Sequence, residues 1–431
     1  MTRRTVSVFG LGHVGLPLAL LCSRKGYKVI GVDSDEAKIA MIRRGISPVK
    51  DKNVEGMLKN CKIEVSLNGV EAAKVSDVIL ICVPTPVDVN KHPDLSYLIS
   101  ASKTIAEGLA RGERGKLIVV ESTVYPGTTE GILRPILEKS GKKCGRDFYL
   151  AHCPERIDPG NKKWNISNIP RVIGGVDEES LKRAEAFYRS ILDAEIFTVS
   201  SARVAEAVKL VENAFRDINI AFVNELAKAF DILGIDIVEV LRAASTKPFG
   251  FMVHYPGAGV GGHCIAVDPY YLIDKASEVN FSHQFLRLAR VINDSMPGYV
   301  IEKVVRGLNE IGQSVKNTVI TVLGVAYKGG VGDHRNSPAL RIIDELRRMG
   351  GELKIFDPYI PEMSNCHDLN SALEGSVCVV LVTDHPEFKE IKLEYLKEKG
   401  IKVLVDGRNI YDKEKAKKIG LIYKGIGRGE R

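Results

Sequence analysis

With 431 residues, 45% hydrophobic and 27% charged, the chain has the composition of a globular protein with two or three cores. Its net charge of +7 is small for that length, and no Lys/Arg run is interleaved with aromatics, which argues against a nucleic-acid partner. Eight cysteines without a CxxC pair argue against a zinc site or disulfide framework and point to a reducing cytoplasm.

Residues 5–33 read as strand, glycine turn, helix and strand: TVSVFG, LGHVGLP, LALLCSRKG and YKVIGVD. Gly10, Gly12, His13, Gly15 and Pro17 break the apolar amino terminus, which suits neither a signal peptide nor a membrane span. Apolar runs follow at DVILICVP (77–84), KLIVVEST (116–123) and FYLAHCPE (148–155) with helical stretches between them, the pattern of a parallel sheet covered on both faces. Gly10-x-Gly12-x-x-Gly15 lies between strand and helix, and Asp33 ends the second strand. The glycines permit a tight turn, approach of a pyrophosphate and close helix packing, while Asp33 suits an adenosine ribose diol, favouring NAD over NADP. Three further stretches sit at strand ends, where ligands collect in such sheets: Pro84-Thr85-Pro86, the residues around Thr123 (ESTVYPGTT) and CPERIDPG (153–160).

Residues 200–234 carry a helical pattern free of Gly and Pro, about 50 Å long if continuous. On it Glu206, Lys209, Asn213 and Arg216 form one polar stripe, which reads as a site or as a solvated face with a Glu–Lys pair. Apolar residues facing several directions predict cover by a second copy of the chain. Further helix is expected at DIVEVLRAAS and around 281–311. Between these lies PGAGVGGHCIAVDP (256–269), which places Cys264 behind two glycines and Asp268 four residues on. Cys264 there is either a presented nucleophile or a small buried apolar residue.

The last 115 or so residues repeat the opening logic: TVITVLGVAYK, a Ser337-Pro338 helix start, ELKIFDPY ending near Asp357, VCVVLVTDH and IKVLVDGRN. Tyr327, Lys328, Asp333, Arg335 and Arg408 follow strand ends; Lys328 and Arg408 are candidate phosphate or sugar binders, or simple surface charge. The closing KEKAKKIGLIYKGIGRGER reads as a solvated tail or helix. The expected architecture is α/β, with two Rossmann-like doubly wound parallel-sheet domains (residues 1–198 and 313–431) joined by an all-helical domain (199–312).

The glycine fingerprint, VPTP, ESTVYPGTT, CPER, VKLVENAFRDINIAFVNEL, GVGGHCIAVDP, AYK…GDHRNSP and DGRN occur in the order seen in the UDP-glucose/GDP-mannose dehydrogenase family, which the whole chain resembles. The resemblance implies a homodimer and a four-electron, metal-free oxidation of a sugar C6 alcohol to a carboxylate with NAD, serving polysaccharide biosynthesis. It implies Cys264 as the thiolate forming a thiohemiacetal and then a thioester, Glu155 as activator of the hydrolytic water, and Lys209 and Asn213 as holders of the C6 oxygen. Asp268 and Thr123 position water and the lysine. Gly10, Gly12, His13, Val14, Gly15, Asp33, Lys38, Pro84, Thr85, Thr123 and Arg335 are the cofactor set. Besides Glu155, Lys209 and Asn213, the UDP-sugar set is Arg156, Ile157, Arg216, Lys247, Phe249, Tyr255, Gly259, Gly261, Tyr327, Lys328 and Arg408. Val267 and Pro159, where UDP-glucose enzymes usually carry lysine and glutamate, resemble the N-acetylhexosamine branch. Lys247-Pro-Phe249, where mannosamine enzymes often have His-Pro-Arg, leaves mannosamine and glucosamine open. A two-electron 3-hydroxyacid dehydrogenase would need neither Cys264 nor the last domain; UDP-glucose oxidation and a non-catalytic nucleotide sensor are the alternative functions.

Overall fold

The computed structural model describes residues 4–49, 51–158, 161 and 163–429. Pro159 and Gly160, which close the CPERIDPG stretch, lie outside the described residues. The chain clusters into two compact units. One ends at Glu212 and takes in Tyr270–Phe281; the other comprises Asn213–Pro269 and the chain from Ser282 onward.

In the first unit eight strands are found among the described residues: β1 (Thr5–Phe9), β2 (Lys28–Val32), β3 (Glu64–Ser66), β4 (Val78–Ile81), β5 (Lys116–Val120), β6 (Phe148–His152), β7 (Arg171–Gly175) and β8 (Ile196–Val199). They form one sheet in the order β3-β2-β1-β4-β5-β6-β7-β8. Every residue of β4, β5 and β6 is buried, because helices cover both faces of the sheet. The helix Gly15–Arg24 buries eight of its ten residues against it. Chain order reverses between β1 and β4, the crevice where ligands bind in such sheets. The sheet departs from the expected parallel pattern at one pair, β6 with β7, which is antiparallel. Three strands escape the sequence reading. Glu64–Ser66 is polar and short, while RVIGG and IFTV lack both length and alternation.

Between β8 and the next strand the regular elements among the described residues are helices: Ala202–Leu233, Ile237–Ala244, Asp268–Ser277 and Gln284–Asn309. At 32 residues the first is ~48 Å long. Among the described residues no helix is long and apolar enough to cross a membrane.

The second unit carries a parallel sheet of β9 (Val319–Leu323), β10 (Glu352–Phe356), β11 (Cys378–Leu381), β12 (Val403–Asp406) and β13 (Ile422–Gly425), ordered β10-β9-β11-β12-β13. This is the β2-β1-β4 arrangement repeated, with Ser337 capping the helix Pro338–Arg348 through Ala339 N (3.2 Å). The closing segment corrects the sequence reading of a solvated tail. Lys413–Lys418 is a helix, but IYKG forms β13, and three of its four residues are buried. The lysine-rich helix before it disguises a strand whose buried residues, Lys424 among them, complete the sheet.

His152 lies fully buried on β6 and burial pushes its imidazole down from 6.5 to about 3. The neutral ring is therefore the folded-state form. Its contribution to stability is complete above the unfolded value near 6.5 and is lost as pH falls from there towards 3. In denaturant titrations between pH 7.5 and 4.5, the wild type should lose stability relative to His152→Leu by about 1.4 kcal/mol per pH unit below 6.5. Parallel curves would show that the ring is not held neutral.

Candidate active site

In the first unit the glycine turn follows β1 at the crevice. A Cβ on Gly10 would lie 2.6 Å from the Cys82 carbonyl, and one on Gly15 would strike the Gly10 carbonyl. One on Gly12 would meet nothing within 4 Å. The outer glycines thus serve packing, and the middle one leaves its backbone open to a ligand. Asp33 Oδ2 accepts from Leu11 N (2.8 Å), Oδ1 accepts from Asp35 N (3.0 Å), and Lys38 Nζ lies 3.7 Å from the carboxylate. His13 is exposed and Val14 half-buried on the same turn. Pro84 is exposed, while Thr85 Oγ1 donates to the Thr123 carbonyl at 2.7 Å, joining the rims after β4 and β5. The backbone and carboxylate of this turn fit a dinucleotide.

The polar stripe at the start of the long helix is not a solvated face. Glu206 and Lys209 are buried, as is Asn213 further along. Glu206 accepts from Gly127 N (2.5 Å) and Thr129 N (2.7 Å), fastening the loop that follows Thr123; burial raises its pKa against these donors. Lys209 Nζ lies 3.4 Å from Glu155 Oε2. Arg156 forks onto Glu212 at 2.5 and 3.3 Å and donates to the Pro170 carbonyl at 3.0 Å, so its guanidinium braces the loop. Ile157 packs against the core of the unit. Beneath that loop Arg171, unnoticed in the sequence, pairs with Glu121 at 2.9 Å with both side chains fully buried. Arg171 also donates to the Pro154 carbonyl (3.3 Å), and Tyr188 to Glu121 (2.5 Å).

In the second unit Cys264 is half-buried and its Sγ lies 3.0 Å from His263 Nδ1. The Cys264 carbonyl accepts from Val267 N (2.9 Å) and Asp268 N (2.8 Å), and the helix Asp268–Ser277 starts there. Asn213 Nδ2 donates to Asp268 Oδ2 at 2.5 Å. The glycine loop is clamped from the far side: Gly262 N donates to the Arg335 carbonyl and Asn336 Nδ2 to the Gly262 carbonyl. A Cβ on Gly261 would lie 2.7 Å from the Asn336 carbonyl and 2.9 Å from Tyr327 Cβ, so only glycine fits. Gly259 is buried, its α-carbon face against Asn293 and Pro338.

Arg335 forks onto Asp333 at 2.6 to 3.0 Å. Arg408 donates to the carbonyls of Val382 (2.8 Å) and Tyr327 (3.4 Å), and burial lowers its pKa. Lys328 is half-buried. Arg216, Lys247, Phe249 and Tyr255 are exposed, with the Lys247 ammonium 5.0 Å over the Phe249 ring. The stripe continues on the long helix through Asp217, Asn224 and Asp231 rather than Arg216. Asp217 takes Arg290 (2.7 Å) and Asn293 (2.8 Å), and Asn224 donates to Asn293 and accepts from Gly257 N, both at 2.9 Å. Asp231 takes Lys303 (2.6 Å), Tyr299, and the amides of Gly427 (3.1 Å) and Gly429 (3.0 Å). The polar residues at sevenfold spacing, 217, 224 and 231, were the signal for this face.

Three domain models of the UDP-glucose/GDP-mannose dehydrogenase family match the chain: the NAD binding domain at residues 4–192, the central domain at 203–295 and the UDP binding domain at 321–413. A UDP-N-acetyl-D-mannosamine dehydrogenase of Pyrococcus horikoshii is 40% identical, covering 99% of each chain. A UDP-N-acetyl-D-glucosamine 6-dehydrogenase of Pseudomonas aeruginosa is 36% identical over 95% of this chain and 98% of its own. The solved structure of UDP-D-ManNAc dehydrogenase from Pyrococcus horikoshii superposes with a TM-score of 0.92 at 39% identity, covering 99% of this chain and 100% of that one.

Glu206→Ala removes the acceptor from two amides in the loop after Thr123. It should cost about 1–3 kcal/mol in chemical denaturation. Glu206→Gln, which keeps one acceptor oxygen, should recover part of that loss, and equal losses would show that the hydrogen bonds contribute nothing.

Proposed function

The chain belongs to the UDP-glucose/GDP-mannose dehydrogenase family and is an NAD-dependent nucleotide-sugar dehydrogenase, and on that premise we propose that it oxidises the C6 alcohol of a UDP-N-acetylhexosamine to the uronic acid. The observation that carries this reading is the end-to-end similarity to enzymes named for UDP-N-acetylmannosamine and UDP-N-acetylglucosamine. Val267, in place of lysine at the end of the cysteine motif, agrees with it.

The roles follow from chemistry. Bound in the glycine turn, with Asp33 at the ribose, NAD supplies the hydride acceptor. Cys264 adds to the C6 aldehyde to give a thiohemiacetal, which keeps a reactive intermediate attached. Loss of a proton and of a second hydride, for which NAD would be the acceptor, makes it a thioester, and water that Glu155 activates releases the acid. Lys209, buried with Glu155, holds the C6 oxygen and moves its proton. Asn213 polarises the same oxygen, and its bond to Asp268 ties it to the helix that Cys264 precedes. Tyr327, Lys328 and Arg408, after strands of the second sheet, bind the UDP-sugar; among the described residues Arg408 Nε and Nη2 go to backbone carbonyls, which leaves Nη1 for a phosphate or sugar oxygen.

The same reading includes a homodimer through the central helices. Val211, Phe215 and Phe222 on the helix Ala202–Leu233 are 45–58% exposed, and Phe285, Leu288 and Val291 on Gln284–Asn309 are 54–77% exposed. Monomeric proteins rarely leave such side chains in water as a group. The three matched ranges support dividing the chain near residues 198 and 312.

Incubation with NAD and UDP-N-acetylmannosamine, UDP-N-acetylglucosamine or UDP-glucose should yield two NADH per sugar with one of the N-acetylated substrates. Sole turnover of UDP-glucose would overturn the substrate class, and tight NAD binding without any turnover would revive a sensor. Cys264→Ala should abolish acid formation; two NADH per sugar at wild-type rate would remove the cysteine from the mechanism. Asp33→Ala should raise the NAD KM by the worth of charged hydrogen bonds, about 1.5–3 kcal/mol, while narrowing the gap to NADP. An unchanged KM would put the ribose elsewhere.

A further inference from the structure

We propose that His263 takes the thiol proton of Cys264, so that the nucleophile of the reading above, on which this inference rests, stands as a thiolate beside an imidazolium. Side chains of consecutive residues usually diverge. Here both residues lie in the turn at 262–267, and their side chains meet, with Sγ 3.0 Å from Nδ1. Both residues are half-buried, enough to weaken competition from water without closing the thiol off.

The charges around the pair favour the transfer. Asp333 follows β9 and its carboxyl feels the His263 charge. Burial pushes that carboxyl up, but the Arg335 hydrogen bonds outweigh burial and hold it below its usual range, so it is ionised and favours the imidazolium. Arg335, forked onto Asp333, is within electrostatic reach of Cys264 and favours the thiolate. Tyr327 stands on the same side, its ring against Gly262. Asp268 lies one turn on, its carboxylate taken by Asn213.

The reaction needs such a group. An ordinary cysteine near pKa 8.5 is only a few per cent thiolate at pH 7. With the proton on Nδ1, the sulfur lone pair forms the S–C bond to the C6 aldehyde, the C=O π pair moves onto oxygen, and the Nδ1 proton neutralises the alkoxide, leaving a thiohemiacetal and a neutral imidazole. When water later displaces the sulfur from the thioester, the departing thiolate is again beside His263. No oxidant beyond the established cofactor is required, because addition and displacement are not redox steps.

The test uses iodoacetamide and the intact protein without sugar. Alkylation rates from pH 5 to 10 are measured for wild type, His263→Gln and His263→Ala, with Cys264→Ser subtracting the other seven cysteines. The wild-type inflection should fall at least one unit below 8.5, and both variants should return to the ordinary thiol range with about tenfold slower alkylation at pH 6.5. Turnover at pH 7 should drop about 10²-fold and recover in part at pH 9, while circular dichroism and a thermal melt matching the wild type report that each variant is folded. A wild-type inflection in both folded variants would overturn the role of His263. If Cys264→Ala still makes two NADH per sugar, the cysteine reading itself falls, a result separate from the alkylation profile.

Discussion

A single helix whose buried face is polar sets the terms for this protein. Along Ala202–Leu233, residues Glu206, Lys209, Asn213, Asp217, Asn224 and Asp231 are all buried. At 3.6 residues per turn they fall within an arc of about 80°. A buried charge or amide costs several kcal/mol unless it is paired, so each of these side chains demands a partner from another segment. Glu206 takes the loop amides of Gly127 and Thr129, Lys209 takes Glu155, Asn213 takes Asp268, and Asp217 and Asn224 take Arg290 and Asn293. Asp231 takes Lys303 and the backbone of the last described residues. The residues with proposed chemistry are thus members of a longer stripe whose other members are structural.

This arrangement explains why the loops proposed to carry function need little regular structure of their own. The cysteine loop is glycine-rich and would be entropically expensive to order. It is held at Gly257 by Asn224, at Gly262 by the Arg335 carbonyl and Asn336, and at Cys264 by the start of a helix. The CPER loop is likewise held by Arg156 on Glu212 and by Arg171 on the Pro154 carbonyl, the latter anchored by Glu121. Rigid support of this kind lets a reactive group keep its orientation through several chemical steps.

The two sheets show how one construction yields two uses. In both, an aspartate ends the second strand and accepts amides from the turn after the first. Asp33 takes Leu11 N and Asp35 N, beside a Gly12 backbone open to a ligand. Asp357 takes Val325 N (2.6 Å) and Ala326 N (2.8 Å) on one oxygen, which also lies 3.0 Å from His385 Nε2, and Tyr359 N on the other. The second carboxylate is buried, so the fingerprint survives there as a brace for the turn.

What the amino-acid sequence determined by itself was local: the apolar runs of β4, β5, β9 and β11, the glycine turn before Asp33, the long helix and the glycine-flanked Cys264. Each signal lies within a few residues and reflects backbone freedom or hydrophobic period. The tertiary structure alone decided the partners. Lys209 meets Glu155 across 54 residues, Asn213 meets Asp268 across 55, and Asp231 meets Gly429 across 198. It also decided that IYKG is a strand and that Arg156 pairs with Glu212, because edge pairing and side-chain pairing depend on what the rest of the chain presents. A stripe of charged residues on a helix reads the same in sequence whether it faces water or a buried carboxylate. Only packing, which removes the water and supplies the partner, distinguishes the two.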